Sequence, residues 1–261
     1  MDLGIAGKVA LIHGAGGGLG GAIAMALAKE GAKVVVCDVN REYLQRTLER
    51  IQAKGGSATA CVWNLADIDD YQRHYNEVCA SVGGIDILVN NTGGPPPGPI
   101  HGLAVADWEK HFREMVLSVI TMTDLALPHM RRAGWGRIIT SASSGVITPI
   151  PNLGLSNSLR STLVGWSKTL AREVAADGIT ANVLVPGRIA TARITSLDQA
   201  RAARESRTYE SVVQESTGSI PMKRYGHPEE YGSAAAFLAS GQASYITGSV
   251  LRIDGGLIPS I

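Results

Sequence analysis

Residues 8–38 read KVALIHGAGGGLGGAIAMALAKEGAKVVVCD. Val9, Ala10, Leu11 and Ile12 form an apolar run without alternation, the pattern of a strand buried on both faces. Glycines follow at 14, 16, 17, 18, 20 and 21. Leu19, Ile23 and Leu27 then recur every four residues, which is one face of a helix. Gly31 ends that helix, and Val34, Val35 and Val36 begin a second strand. The stretch is therefore a βαβ unit with a glycine-rich first turn. Glycine there permits positive φ and lets the backbone approach a pyrophosphate closely. Free N–H groups and the dipole at the helix start favour the phosphate charge. Asp38 closes the second strand about 20 residues on, where an acid can hold a ribose 2′-OH. A glycine-rich turn alone is weak evidence, but strand, glycines, helix, strand and acid in this order point to dinucleotide binding.

The same alternation continues outward. Leu44, Leu48 and Ile51 mark a second helix, and Ala58 to Val62 a third strand. Tyr71, Tyr75, Val78 and Val82 mark a third helix, stopped by Gly83-Gly84. Ile85 to Val89 is a fourth strand, broken by Asn90-Asn91-Thr92-Gly93-Gly94. Trp108, Phe112, Met115, Val119 and Thr123 fall on one face of a long fourth helix. Arg137 to Thr140 is a fifth strand, and Leu159, Leu163, Trp166, Leu170 and Val174 share one face of a fifth helix. Thr180 to Val185 is a sixth strand, stopped by Pro186-Gly187. Residues 191–219 are polar and arginine-bearing, with no strand evident, and read as a substrate loop. Pro228 suits the first turn of a further helix, and Val250 to Ile253 is the last strand. The expectation is a single-domain α/β Rossmann fold over 1–261, a doubly wound parallel sheet with helices on both faces. Ligands of such sheets sit beyond the carboxyl ends of the strands.

Composition narrows the function classes. A chain of 261 residues, 45% hydrophobic and 18% charged, is globular rather than disordered. A net charge of +1 gives no reason to expect a nucleic-acid partner. No run of about 18 apolar residues suggests a membrane span, and the N-terminal MDLGIAGK lacks the apolar core of a signal peptide. Cys37, Cys61 and Cys79 form no CxxC pair, and an odd count argues against a disulfide framework. Reduced thiols and a cytoplasmic location are expected.

These segments together resemble the short-chain dehydrogenase/reductase family over nearly the whole chain. Its TGxxxGxG turn is similar to His13-Gly14-Ala15-Gly16-Gly17-Gly18-Leu19-Gly20, with His13 in place of threonine. Its NNAG segment resembles Asn90-Asn91-Thr92-Gly93, and its PGxxxT segment Pro186-Gly187-Arg188-Ile189-Ala190-Thr191. Its adenine contact after the third strand falls on Asn64, followed by Leu65. The tail from Tyr245-Ile246-Thr247-Gly248 through Asp254-Gly255-Gly256 is also the family's. The 3-oxoacyl carrier-protein reductases are the most similar group. The resemblance implies a seven-stranded sheet, a nicotinamide cofactor and a homotetramer. It assigns the cofactor contacts to Gly14, Gly16, Gly18, Leu19, Gly20, Asp38, Asn64, Leu65, Asn91, Gly93, Arg160, Pro186, Gly187, Ile189 and Thr191. Asp38 favours NAD, because its carboxylate repels a 2′-phosphate; Arg41 nearby leaves NADP open.

The catalytic pattern departs from the family's. The serine matches at Ser143, but the tyrosine of YxxxK, thirteen residues on, is Ser156, and the lysine is Arg160. The family's asparagine falls on Met115. Hydride transfer to a carbonyl builds negative charge on oxygen, and a proton donor must meet it. Tyrosine with a lowered pKa can serve, whereas serine is a much weaker acid. Positions 156 and 160 are neighbours on one helix face. Arg160 keeps the positive charge and can donate to the ribose hydroxyls, although its planar fork is not equivalent to an ammonium. Ser156 is either a substrate contact or a helix cap.

The candidate catalytic residues are thus Ser143, Ser156 and Arg160, with His101 near the site mouth as a substitute acid. His13 reads as structural, and His74, His111 and His129 as solvated or packed helix residues. Arg193, Arg201, Arg204 and Arg207 form either a solvated helix face or an attraction for an anionic acyl substrate. Two readings compete. One is an NAD(P)-dependent oxidoreductase interconverting a carbonyl and an alcohol, an acyl-thioester among the candidate substrates. The other is a dinucleotide-binding scaffold without redox activity; a lyase or isomerase step at the same site is a third.

Overall fold

The computed structural model describes residues 2–261. Seven strands form one sheet in the order β3-β2-β1-β4-β5-β6-β7. They are β1 (Val9–His13), β2 (Lys33–Asp38), β3 (Ser57–Val62), β4 (Ile87–Asn90), β5 (Gly136–Ser141), β6 (Ile179–Pro186) and β7 (Val250–Ile253), and every pairing is parallel. The order reverses between β1 and β4. That is the crevice where an open parallel sheet admits a ligand.

Period-two alternation along the strands sorts side chains onto two faces. Ala10, Ile12, Val34, Val36, Ile87 and Val89 pack with Ile23 and Leu27 of α1 (Gly18–Lys29), Leu44 and Ile51 of α2 (Arg41–Gln52) and Tyr231 of α9 (Pro228–Leu238). Val9, Leu11, Val35, Cys37 and Leu88 face the other way. They meet Tyr71 and Tyr75 of α3 (Tyr71–Val82), Met122 and Ala126 of α5 (Ser118–Ala133), and Leu170 and Val174 of α6 (Gly154–Val174). Burial on both faces explains why the strands read as unbroken apolar runs.

Three expectations change. The long helix over 108–123 is not continuous: α4 (Val105–Phe112) and α5 are joined by a π turn at Arg113–Leu117. The wider turn inserts a residue into the 3.6-residue count. Met115 and Val119 are accordingly buried, whereas Phe112 is exposed. Residues 191–219 are not a loop but two helices, α7 (Ala192–Arg204) and α8 (Tyr209–Ser219). Thr191 and Thr208 cap them, each accepting a backbone N–H on its hydroxyl. Ser156 does not cap α6, because the cap position is Leu153 and Ser156 lies inside the first turn. All three cysteines are free thiols, Cys37 facing Cys61 in the β2–β3 register. No helix among the described residues is long and apolar enough to cross a membrane.

His74, His111 and His129 lie on α3, α4 and α5, as expected. His13 ends β1 and is 2% exposed, edge-on to Trp63 at 5.7 Å. Burial pulls its imidazole from 6.5 down to about 4, with Asn90 opposing part of the shift. The folded protein holds this ring neutral, while the unfolded chain protonates it near pH 6.5. The unfolded state therefore binds the extra proton, and stability falls as pH drops from 6.5 toward 4. The loss over that window is about 3 kcal/mol. Urea midpoints of wild type and His13→Thr at pH 7 and pH 4.5 test this. The variant should lose less stability on acidification, and equal losses would show that His13 does not carry the effect.

Candidate active site

The β1–α1 turn can form only because two side chains are missing. Gly14 has φ +58°, and a Cβ there would lie 2.6 Å from the Asn91 carbonyl oxygen. A Cβ on Gly20 would lie 2.2 Å from the Gly14 carbonyl oxygen. Asn91 fastens the arrangement, its Nδ2 donating to the His13 and Gly14 carbonyls at 3.3 Å each. The first turn of α1 carries no acid, so its N–H groups face the cleft without a competing carboxylate. Asp38 accepts the Gly16 N–H on Oδ2 at 3.0 Å and the Asn40 N–H on Oδ1 at 3.1 Å. This draws the acid to the rim of the glycine turn.

A cleft of about 670 Å³ opens along the carboxyl edge of the sheet, within the size range of ligand pockets. Of the residues assigned to the cofactor, Gly14, Gly16, Gly18, Leu19, Asp38, Asn91, Gly93, Arg160, Pro186, Gly187, Ile189 and Thr191 line it. Asn64 and Leu65 line an adjoining recess of about 370 Å³, together with Met115. Gly20 lies beneath the turn. Arg41 and His101 line neither space; both are exposed at the surface. His101 is thus not placed at the site mouth.

Ser143 and Ser156 both line the main cleft, from the loop after β5 and from α6. The Gly145 N–H donates to Ser143 Oγ at 3.1 Å. One lone pair of that oxygen is thereby occupied, and the hydroxyl proton stays free to be donated. Arg160 is placed differently from expectation. Its Nη1 donates to the Ser141 carbonyl at 3.1 Å, and its Nη2 to those of Thr92 at 3.2 Å and Gly93 at 2.8 Å. These bonds tie the ends of β4 and β5 to α6. Part of the fork is thus committed to backbone rather than held free for a ribose. Burial pulls the guanidinium down to about 10, which leaves it charged at neutral pH.

The arginines of α7 separate into kinds. Arg193, Arg201 and Arg204 line the cleft. Arg201 and Arg207 share Glu205 and Glu215 in an ion-pair network, which Arg204 joins through Glu205. Arg193 instead donates to the Pro95 carbonyl at 2.9 Å. Residues not singled out from the sequence also shape the site. Tyr43 lines the cleft beside Gly16 and Asp38. Arg188, also on the wall, pairs with the buried Asp198. Ser141 bonds the hydroxyl of buried Tyr231 at 2.9 Å behind the site. An acid downstream of an arginine, as Asp198 is of Arg188, was the available signal for that pair. Nothing local marks Tyr231, which belongs to a helix far along the chain.

With this geometry in view, comparison with known proteins is informative. A family model described as enoyl-(acyl carrier protein) reductase matches residues 14–258. Nodulation protein G of Azospirillum brasilense is 35% identical, over 96% of this chain and 98% of its own. A 3-oxoacyl-[acyl-carrier-protein] reductase of Thermotoga maritima is 32% identical, over 97% of this chain and 98% of its own. The crystal structure of L-sorbose reductase from Gluconobacter frateurii, complexed with NADPH and L-sorbose, superposes with a TM-score of 0.94. It is 32% identical, with both chains covered completely. A match of this extent places the chain in the short-chain dehydrogenase/reductase family.

Proposed function

We propose that the chain is an NAD(P)-dependent oxidoreductase that interconverts a carbonyl and an alcohol, within one domain. The observation that carries this is the meeting of a glycine-backed cleft with Ser143 and Ser156 at the carboxyl edge of one sheet. The relatives act in the same class: one is a 3-oxoacyl-[acyl-carrier-protein] reductase, another an acetoacetyl-CoA reductase, and L-sorbose reductase carries NADPH beside its sugar. Acyl-thioesters are therefore candidate substrates.

The residues present fit a dinucleotide. The glycine turn and the start of α1 take the pyrophosphate, Asp38 a ribose, and Asn64 with Leu65 the adenine. Asn91, Gly93, Pro186, Gly187, Ile189 and Thr191 border the nicotinamide end. The bound nicotinamide supplies the electron pair for the carbonyl carbon, or accepts it in reverse. The chain does the rest. Ser143 donates a hydrogen bond from its free hydroxyl to the substrate oxygen and polarises the carbonyl while keeping its proton. Arg160 adds a positive charge to the wall of the same cleft, held in place by its bonds to backbone carbonyls. Ser156, or a water held beside it, delivers the proton that completes the alcohol.

Cofactor choice rests on Asp38. Its carboxylate faces the adenosine ribose position, and no arginine of α2 lines the cleft to offset it. NAD(H) should bind more tightly than NADP(H) in calorimetric titration, and Asp38→Ala should narrow the ratio at least about tenfold, or 1.4 kcal/mol. Tighter NADP(H) binding by wild type would sink the NAD assignment while leaving the activity class standing.

Catalysis rests on the two serines. With a carbonyl substrate and the reduced cofactor, Ser143→Ala and Ser156→Ala should each lower kcat by about 10² or more. A full rate in both variants would remove this chemistry from the cleft. We also propose a homotetramer, supported by apolar side chains left in solvent at Phe112, Leu117, Leu251 and Ile261. Light scattering should give four chains per particle, and a monomer at micromolar concentration would refute it.

A further inference from the structure

Arg160 and Arg193 enter the main cleft from different helices, α6 and α7. Arg160 is 8% exposed, while Arg193 is open to solvent on the cleft wall. Both hydrogen-bond only to backbone carbonyls. A carbonyl satisfies an N–H without neutralising the charge. Among the described residues, no carboxylate lies within ion-pair distance of either guanidinium, whereas Arg188, Arg201, Arg204 and Arg207 each have one. Asp198, the nearest acid along α7, is consumed by Arg188 and by the Tyr225 hydroxyl at 2.7 Å.

The two unmatched groups converge over one point. A carbon placed on Gly94 would lie 3.4 Å from Arg193 Nη2 and 3.6 Å from Arg160 Nη2. With no side chain at position 94 between them, the two Nη2 atoms lie close enough together for the two oxygens of one carboxylate to bridge them. Each cation lies near enough to oppose the other, and burial adds to the cost at Arg160. A buried cation such as Arg160, with a second cation facing it and no anion beside it, is costly. Arg193 is also the second residue of α7, so the positive end of that helix dipole adds to the same field.

We propose that Arg160 and Arg193 form an anion subsite above Gly94 that holds a substrate carboxylate, making the substrate an oxo acid or the corresponding hydroxy acid. This rests on the oxidoreductase reading and names its substrate class. The cofactor pyrophosphate is the other source of negative charge within the cleft, and the experiment separates the two.

Calorimetry on protein saturated with the oxidised cofactor allows an oxo acid to bind without being reduced. The probes are 3-oxobutanoate and 4-oxopentanoate, each against its methyl ester. At least one acid should bind ten times more tightly than its ester, and added salt should erode the difference. Arg193→Gln should bring that ratio close to one. Equal binding of acid and ester in both pairs would overturn the proposal. So would an Arg193→Gln protein that loses cofactor affinity but keeps the acid preference, because the charge would then serve the pyrophosphate. Turnover with the reduced cofactor keeps the two readings apart. Reduction of esters without any preference for the acids sinks the subsite and leaves the oxidoreductase. Selective binding of an acid, with no probe reduced, supports the subsite and counts against the redox activity.

Discussion

A missing side chain at Gly20 holds the site together. The helix start passes so close to the first turn that a Cβ there would lie 2.2 Å from the Gly14 carbonyl oxygen. That contact sets where α1 begins relative to β1, and hence where its free N–H groups point. Gly14 repeats the constraint against the Asn91 carbonyl, and the Asn91 amide returns hydrogen bonds to the same turn. The ends of β1 and β4, the two strands flanking the point of reversed order, are thereby locked to each other. Every later element of the cleft is positioned against that pair.

Arg160 extends the same frame with different chemistry. Where the glycines let backbones meet, this buried arginine bridges backbones that do not touch, donating to carbonyls beyond β4 and β5. A lysine has three donors on one nitrogen and no planar fork, so it could not reproduce this bridge in the same geometry. Arg160 thus has a structural part as well as a charge. It leaves a charge in the cleft with no carboxylate among the described residues within ion-pair distance, its donors going to carbonyls instead. Ser156 lines the same cleft with a hydroxyl, which gives up a proton far less readily than a phenol.

Local patterning determined much of this protein. Unbroken apolar runs from Val9 and Val34 specified strands covered on both faces, and the glycines between them specified the tight turn that Asp38 comes to flank. Ser143, Ser156 and Arg160, singled out by their spacing, all line one cleft. Each of these signals lies within a few turns of chain, and a repeating backbone geometry converts spacing directly into position. The helices of 191–219 were harder to read, because a polar amphipathic helix over a cleft has few core positions to mark its period.

Tertiary structure decided what depends on partners distant in the chain. The π turn at Arg113–Leu117 moved the 108–123 face out of register, and packing of Met115 and Val119 against Leu155 and Leu159 accompanies it. Which arginines in and around α7 are neutralised was settled by Glu215 of the next helix, and by Asp198 of α7 closing on Arg188. That Arg160 would spend its donors on Thr92, Gly93 and Ser141 follows from strands separated from it by up to 68 residues. Composition counts charges, but only the fold says which of them meet, because Coulomb attraction and hydrogen bonding fall off within a few ångströms while the chain brings groups together across its whole length.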